Sequence, residues 1–154
     1  MSIRKQIITS LENIIPNEII EKIILYAMYT PKNRDELDYA LYVFMKRKKS
    51  FEFKKYSEIN NWNTIYIKDM SNLFTKYRSF NYNINNWDVS NVENMENMFY
   101  GTRFNKDIDN WDVSNVKNFN KIFAYSNFCK DVSNWKINKN ASTINVFLKA
   151  GVGY

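Results

Sequence analysis

Histidine is absent from the 154-residue sequence, and cysteine occurs once, as Cys129. These absences exclude histidine-based acid–base catalysis, Cys/His zinc sites and an intramolecular disulfide framework. Glycine (three) and proline (two) are scarce, which excludes collagen-like and linker-rich architectures. No apolar run approaches the roughly 20 residues that a membrane-spanning helix needs. The opening Met1-Ser2-Ile3-Arg4-Lys5-Gln6 lacks the continuous apolar stretch of a secretory signal. An intracellular setting is therefore expected.

Aromatic residues are abundant: 11 Phe, 11 Tyr and 4 Trp make up 17% of the chain, ample material for a core. Lys and Arg (22) outnumber Asp and Glu (16), for a net charge of +6. Residues 1–58 and 59–154 each hold 11 basic and 8 acidic residues, so the excess is spread evenly and forms no basic arm. Asn, Ile, Lys and Tyr supply 69 residues, a bias typical of AT-rich genomes such as those of some bacteria, protists and large DNA viruses.

The dominant signal is a repeat. Tryptophan falls at 62, 87, 111 and 135, and its flanks recur with it. Ile84-Asn-Asn-Trp87-Asp-Val89-Ser-Asn-Val92 matches Ile108-Asp-Asn-Trp111-Asp-Val113-Ser-Asn-Val116. A second apolar cluster follows in each unit: Met70, Leu73 and Phe74; Met95, Met98 and Phe99; Phe119, Ile122 and Phe123; then Ile144, Val146 and Phe147. Phe80, Phe104 and Phe128 close the first three units. Four units result, at 59–83, 84–107, 108–131 and 132–154. A period of 24–25 residues has the length of leucine-rich-type repeats, which stack into a solenoid because no single unit buries its own apolar face.

Alternation around Trp87-Asp88-Val89 predicts a short strand. Ser90 and Glu93 have capping-box spacing, and Val92, Met95, Met98 and Phe99 share one helical face. Gly101 is suited to the helix C-cap. The expected fold class is thus an α/β repeat solenoid, one short strand and one short helix per unit, preceded by an all-helical cap. The expected repeat core is Trp62, Trp87, Trp111, Trp135, Val89, Val92, Val113 and Val116, with Met95, Met98, Phe99, Phe119, Ile122 and Phe123. The fourth unit, with Asn140 at the Val92-equivalent place, is expected to be a terminal cap. Asparagine precedes every Trp and recurs at Asn91/Asn115 and Asn94/Asn118; turn chemistry and side-chain ladders account for it.

Residues 1–58 predict three amphipathic helices. The first carries Ile3, Ile7, Leu11 and Ile14. The second starts at Pro16 and carries Ile19, Ile20, Ile23, Ile24 and Ala27, ending at Thr30-Pro31. The third is capped by Asn33 or Asp35 and buries Leu37, Ala40, Leu41, Phe44 and Met45. Such a head would cover the open end of a solenoid.

The stretch from Phe80 to Phe99, with its Trp-Asp-Val-Ser-Asn-Val core, resembles the BspA-like repeat family, and the resemblance covers about 59–147. It implies a leucine-rich-type solenoid used for protein binding, often adhesive when secreted. Residues 15–24, Ile-Pro-Asn-Glu-Ile-Ile-Glu-Lys-Ile-Ile, also resemble the opening of an F-box. That resemblance implies docking of a Skp-type adaptor of cullin ubiquitin ligases through residues 15–45, with the repeats holding a substrate.

No nucleophile-and-base set and no phosphate-binding loop is visible, so neither an enzyme nor a cofactor is expected. Asp88 and Asp112 recur at equivalent positions, which suits turn duty rather than a unique catalytic pair. Cys129 is expected to be a small buried hydrophobe. Lys46-Arg47-Lys48-Lys49 has the composition of a nuclear-localisation or phosphate-contacting patch, and equally of a solvated helix end meeting the negative dipole. Phe51 and Phe53 alone make no stacking platform, so nucleic acid is not an expected partner. The expected function is protein binding, with Tyr100, Arg103, Lys106 and Tyr125, in the less repetitive segments, as the contact surface. A structural role in a virion or scaffold is the alternative from another class.

Overall fold

The computed structural model describes Pro16, Ile19, residues 28–47, residue 49 and residues 53–151. The first expected helix lies outside the described residues, as does the second apart from Pro16, Ile19 and its expected end at Thr30-Pro31, where the backbone is not helical. The third forms as α1, Arg34–Lys46. Asn33 is its N-cap and accepts a hydrogen bond from the Glu36 N–H at 2.9 Å. Acidic residues in its first turn and Lys46 in its last complement the helix dipole. Leu37, Ala40, Leu41 and Phe44 are buried, joined by Val43, whereas Met45 is half-buried. A short α2 (Phe53–Tyr56) and a 3-10 turn (Ile59–Asn61) lead into the first repeat.

Equivalent residues of the four units lie beside one another. Parallel bridges join Asp69 to Asn94, Asn94 to Asn118 and Asn118 to Ser142. Beyond each bridge, alternate backbone N–H groups donate to the following unit. Met95, Asn97, Phe99 and Gly101 donate to the carbonyls of Asn118, Asn120, Ile122 and Ala124. Phe119, Lys121, Phe123 and Tyr125 donate in the same way to Ser142, Ile144, Val146 and Leu148. The intervening residues close turns within their own unit: Met98 on Met95, Tyr100 on Asn97 and Thr102 on Phe99.

This ladder occupies the place of the expected short helix. Among the described residues of the repeats there is neither an α-helix nor a strand longer than an isolated bridge. The cause is local. Asn72, Asn97, Lys121 and Asn145 all take φ of 55°, a left-handed conformation that interrupts a helix. A helix of two turns is marginal alone, whereas here every second N–H finds an acceptor in the neighbouring unit. The Ser90/Glu93 capping box gives way to an Asx turn: the Ser90 N–H and hydroxyl both donate to Asp88 Oδ1, and the Glu93 N–H donates to the Lys68 carbonyl. Trp87-Asp88-Val89 is likewise no strand; the bridge comes later, at Asn94. Gly101 has the expected positive φ (67°), with its N–H committed to the next unit.

All fourteen residues expected in the repeat core are buried, and Trp135 is the most exposed at 8%. Two phenylalanine columns run through it. Phe74, Phe99, Phe123 and Phe147 stack at centroid separations of 5.2, 5.7 and 5.4 Å. Phe80, Phe104 and Phe128 form the second column at 6.0 Å spacing. Within a unit the columns touch, as at Phe99–Phe104 (4.0 Å). Trp87, Trp111 and Trp135 each donate the indole N–H to an isoleucine carbonyl of the preceding unit: Ile59, Ile84 and Ile108. Trp62 has no such partner among the described residues, where its Nε1 is buried without a hydrogen bond. In place of a preceding unit, Trp62 meets Tyr29, Phe44 and Tyr56 edge-on. The head therefore covers this end of the repeats.

Among the described residues, nothing covers the opposite end. The fourth unit, expected to be a cap, leaves Ile144 61%, Phe147 50% and Ile137 46% exposed. A cap requires a polar outer face, and these apolar side chains break it here. Ala141, half-buried, closes its turn on Asn138 as Val92 does on Val89 and Val116 on Val113, so Ala141 rather than Asn140 fills the Val92-equivalent place.

Candidate interaction surface

The repeating residues are consumed by packing and by turns. Asp88 and Asp112 accept from the N–H of Ser90 and Ser114, two residues on, as turn duty requires. Asn91 and Asn115 donate their amides to the carbonyls of Ile65 and Ser90 in the preceding unit. The side-chain ladder beside the tryptophans runs one residue earlier than the asparagines that precede them. Asn60 accepts from the Asn86 N–H, Asn85 accepts from the Asn110 N–H, and the Asn85 amide donates to Asp109. The surface is thus tied down unit by unit, and its outline is set by residues that do not repeat.

Tyr100 and Tyr125, both expected contact residues, meet on this surface with ring centroids 5.3 Å apart. Lys149, one unit further on, places its ammonium 5.7 Å from the Tyr125 ring, a cation–π contact. This column of two tyrosines and a lysine crosses three units. Tyr100 is 39% exposed. Arg103 is exposed, with its backbone N–H held by the Arg78 carbonyl. Lys106 instead lines a cleft of about 440 Å³ with Asn81, Tyr82, Asn83, Asn85 and Asp107. The four expected residues therefore divide between a tyrosine column and a polar cleft. Lys149 was missed because its signal, a long side chain one repeat after Tyr125, is visible only once the units are in register.

Cys129 departs from expectation: it is exposed. It continues an amide column in which Asn81 accepts from the Asn105 N–H and Asn105 accepts from the Cys129 N–H. Its thiol lies 3.3 Å from the Asn105 amide nitrogen. The neighbouring Phe128 takes the inward place, which leaves Cys129 on the outer side. In the basic run, Lys46 and Lys49 are exposed and the Arg47 guanidinium lies over the Tyr42 ring at 5.8 Å; Lys48 is outside the described residues. Glu93 accepts a hydrogen bond from Lys117, which holds its carboxyl below the usual carboxylate range, with Lys68 adding to the effect. Burial and the neighbouring Tyr56 and Glu36 raise the Tyr29 phenol where the head meets the first unit.

Among the described residues, no group of three or more His, Cys, Asp or Glu is placed to hold a metal ion. No helix among them is long and apolar enough to cross a membrane. No curated protein and no solved structure matches the chain. Residues 41–152 match a family model described as "Mycoplasma protein of unknown function, DUF285". That region starts within α1, upstream of the first unit, and takes in the whole tyrosine column. Because it spans well over half of the sequence, the chain belongs to the DUF285 family.

Proposed function

We propose that the chain is a non-enzymatic protein-interaction module built on a BspA-like repeat solenoid. Its lateral face, centred on Tyr100, Tyr125 and Lys149, holds a protein partner. The observation that carries this reading is the tyrosine–lysine column itself. Tyr100 and Lys149 are exposed and Tyr125 is half-buried, and the three side chains follow one another across three units without being part of the repeat pattern. Tyrosine combines an apolar ring with a polar tip and loses little conformational entropy on binding, which suits an interface.

The test is a pull-down from lysate with the tagged full chain and a Tyr100→Ser, Tyr125→Asn, Lys149→Asn triple variant. Asparagine suits the positive φ at 125 and 149, so folding should survive, as circular dichroism would check. The proposal expects the captured proteins to be lost with the variant. An unchanged set of captured proteins would contradict it.

A second reading makes the chain a substrate receptor that docks a Skp-type adaptor through residues 15–45. The exposure of Ile19 (47%) within the F-box-like stretch favours it. Against it, Leu37, Leu41 and Phe44 belong to the same buried core as the repeats and are not free to meet an adaptor. Recovery of such an adaptor by the full chain, lost with Ile19→Asp, would establish this reading; its absence from both would remove it.

A further inference from the structure

The uncovered end of the repeats is built like the surface that each unit offers to its successor. In the first three units, alternate N–H groups after the bridge position donate to the next unit. The equivalent donors of the fourth unit are the N–H groups of Thr143, Asn145, Phe147 and Lys149, and they have no acceptor among the described residues. All point the same way along the stack, because the carbonyls on this side are turned toward the third unit. Beside the donor row lies an apolar patch of Ile137, Ile144, Phe147 and Leu148, each at least 37% exposed. Phe147 is the last ring of its column, with one face covered by Phe123.

Charge adds a direction. Residues 132–154 hold three lysines (Lys136, Lys139 and Lys149) and no acidic residue. Lys149 lies over the Tyr125 ring, but Lys136 and Lys139 are exposed, and these two ammonium groups, with a row of backbone donors that have no acceptor among the described residues, favour an occupant that brings acceptors and negative charge. A second copy of this chain fits poorly. End-to-end pairing would oppose one donor row to another, and head-to-tail pairing meets the end covered by Tyr29, Phe44 and Tyr56.

We infer that this end is a docking face for an acidic polypeptide segment of another protein. The segment lies alongside the fourth unit, accepts from its backbone N–H groups through main-chain carbonyls and seats an apolar side chain on Phe147. It joins the molecule as a further coil would, by the main-chain logic of strand addition. The inference extends the reading of the chain as an interaction module to a second face, which shares only Lys149 with the tyrosine surface: its ammonium lies on Tyr125 and its backbone N–H is in the donor row.

A synthetic peptide with the sequence of residues 84–107 is a suitable probe. It carries four acidic and two basic residues, and in the intact chain this segment presents its carbonyls to a preceding unit. The experiment titrates it into the isotope-labelled full chain while amide shifts and hydrogen exchange are followed. Slowed exchange and saturable shifts are expected at Thr143, Asn145, Phe147 and Lys149. Phe147→Asp and, separately, Ile144→Lys should each weaken binding at least tenfold with little loss of folding, since both residues are at least half exposed. A peptide with its four acidic residues replaced by lysine should bind at least tenfold more weakly.

No change at these amides with saturating peptide would overturn the proposal, and so would equal binding of the lysine peptide. Concentration-dependent dimerisation through Phe147 in sedimentation would replace the acidic segment with a second copy and equally overturn it. Should the peptide fail while the tyrosine-surface variant still loses its captured proteins, this inference falls and the lateral-face reading stands.

Discussion

At the scale of the residue, the left-handed backbone positions govern the repeats. Asparagine occupies that place in three units, as Asn72, Asn97 and Asn145, but the third unit has Lys121, at the same φ of 55°. Asparagine tolerates this conformation better than lysine, whose longer side chain has no local bond to offset the crowding of Cβ. Lys121 is exposed, and no ion pair is formed by it among the described residues. Lys121→Asn is therefore expected to stabilise the protein by about 0.5–1 kcal/mol, read as a higher denaturation midpoint at unchanged slope. A lower midpoint would mean that Lys121 makes a contact worth more than its strain. Which residues are buried was legible at this scale, because the apolar positions repeat with the period. The handedness of the backbone was not: Asn97 and Lys121 look like ordinary helix-surface residues until the N–H groups around them are seen to reach the next unit.

At the scale of the element, each unit is held by its neighbours rather than by its own hydrogen bonds. The spacing of Val92, Met95, Met98 and Phe99 fits one helical face, yet it serves equally a chain of overlapping turns that buries the same four side chains. Periodicity alone does not separate the two. The third expected helix was legible, with its cap narrowed to Asn33 or Asp35, since α1 carries its signals locally; the structure selects Asn33. The tryptophan columns make the dependence on neighbours measurable. Trp87→Ala and Trp111→Ala remove buried rings that stack or hydrogen-bond across units, and each should cost about 3–5 kcal/mol. Trp135→Ala should cost less, because the fourth unit packs against one neighbour only. Equal and negligible losses at all three in denaturant titrations would contradict the stacking.

At the scale of the whole molecule, the two ends differ. Helical and tyrosine-rich residues cover the first tryptophan, while the last phenylalanine and a row of backbone donors face outward. Between them, one continuous core runs from Leu37 to Trp135. The repeat was legible in the sequence, and of the head expected before it the third helix is described, packed into the same core as the first unit. The sequence misassigned the far end, because Asn140 at the expected Val92-equivalent place read as the mark of a cap, whereas Ile137, Ile144 and Phe147 of the fourth unit are exposed. The central claim is that main-chain hydrogen bonds join successive units at a fixed offset. Scalar couplings across hydrogen bonds, in a long-range amide–carbonyl correlation spectrum of the labelled full chain, test it directly. Correlations are expected from the N–H groups of Met95, Asn97, Phe99 and Gly101 to the carbonyls of Asn118, Asn120, Ile122 and Ala124. Correlations from Phe99 to Met95 and onward along a helical i to i−4 series would contradict it.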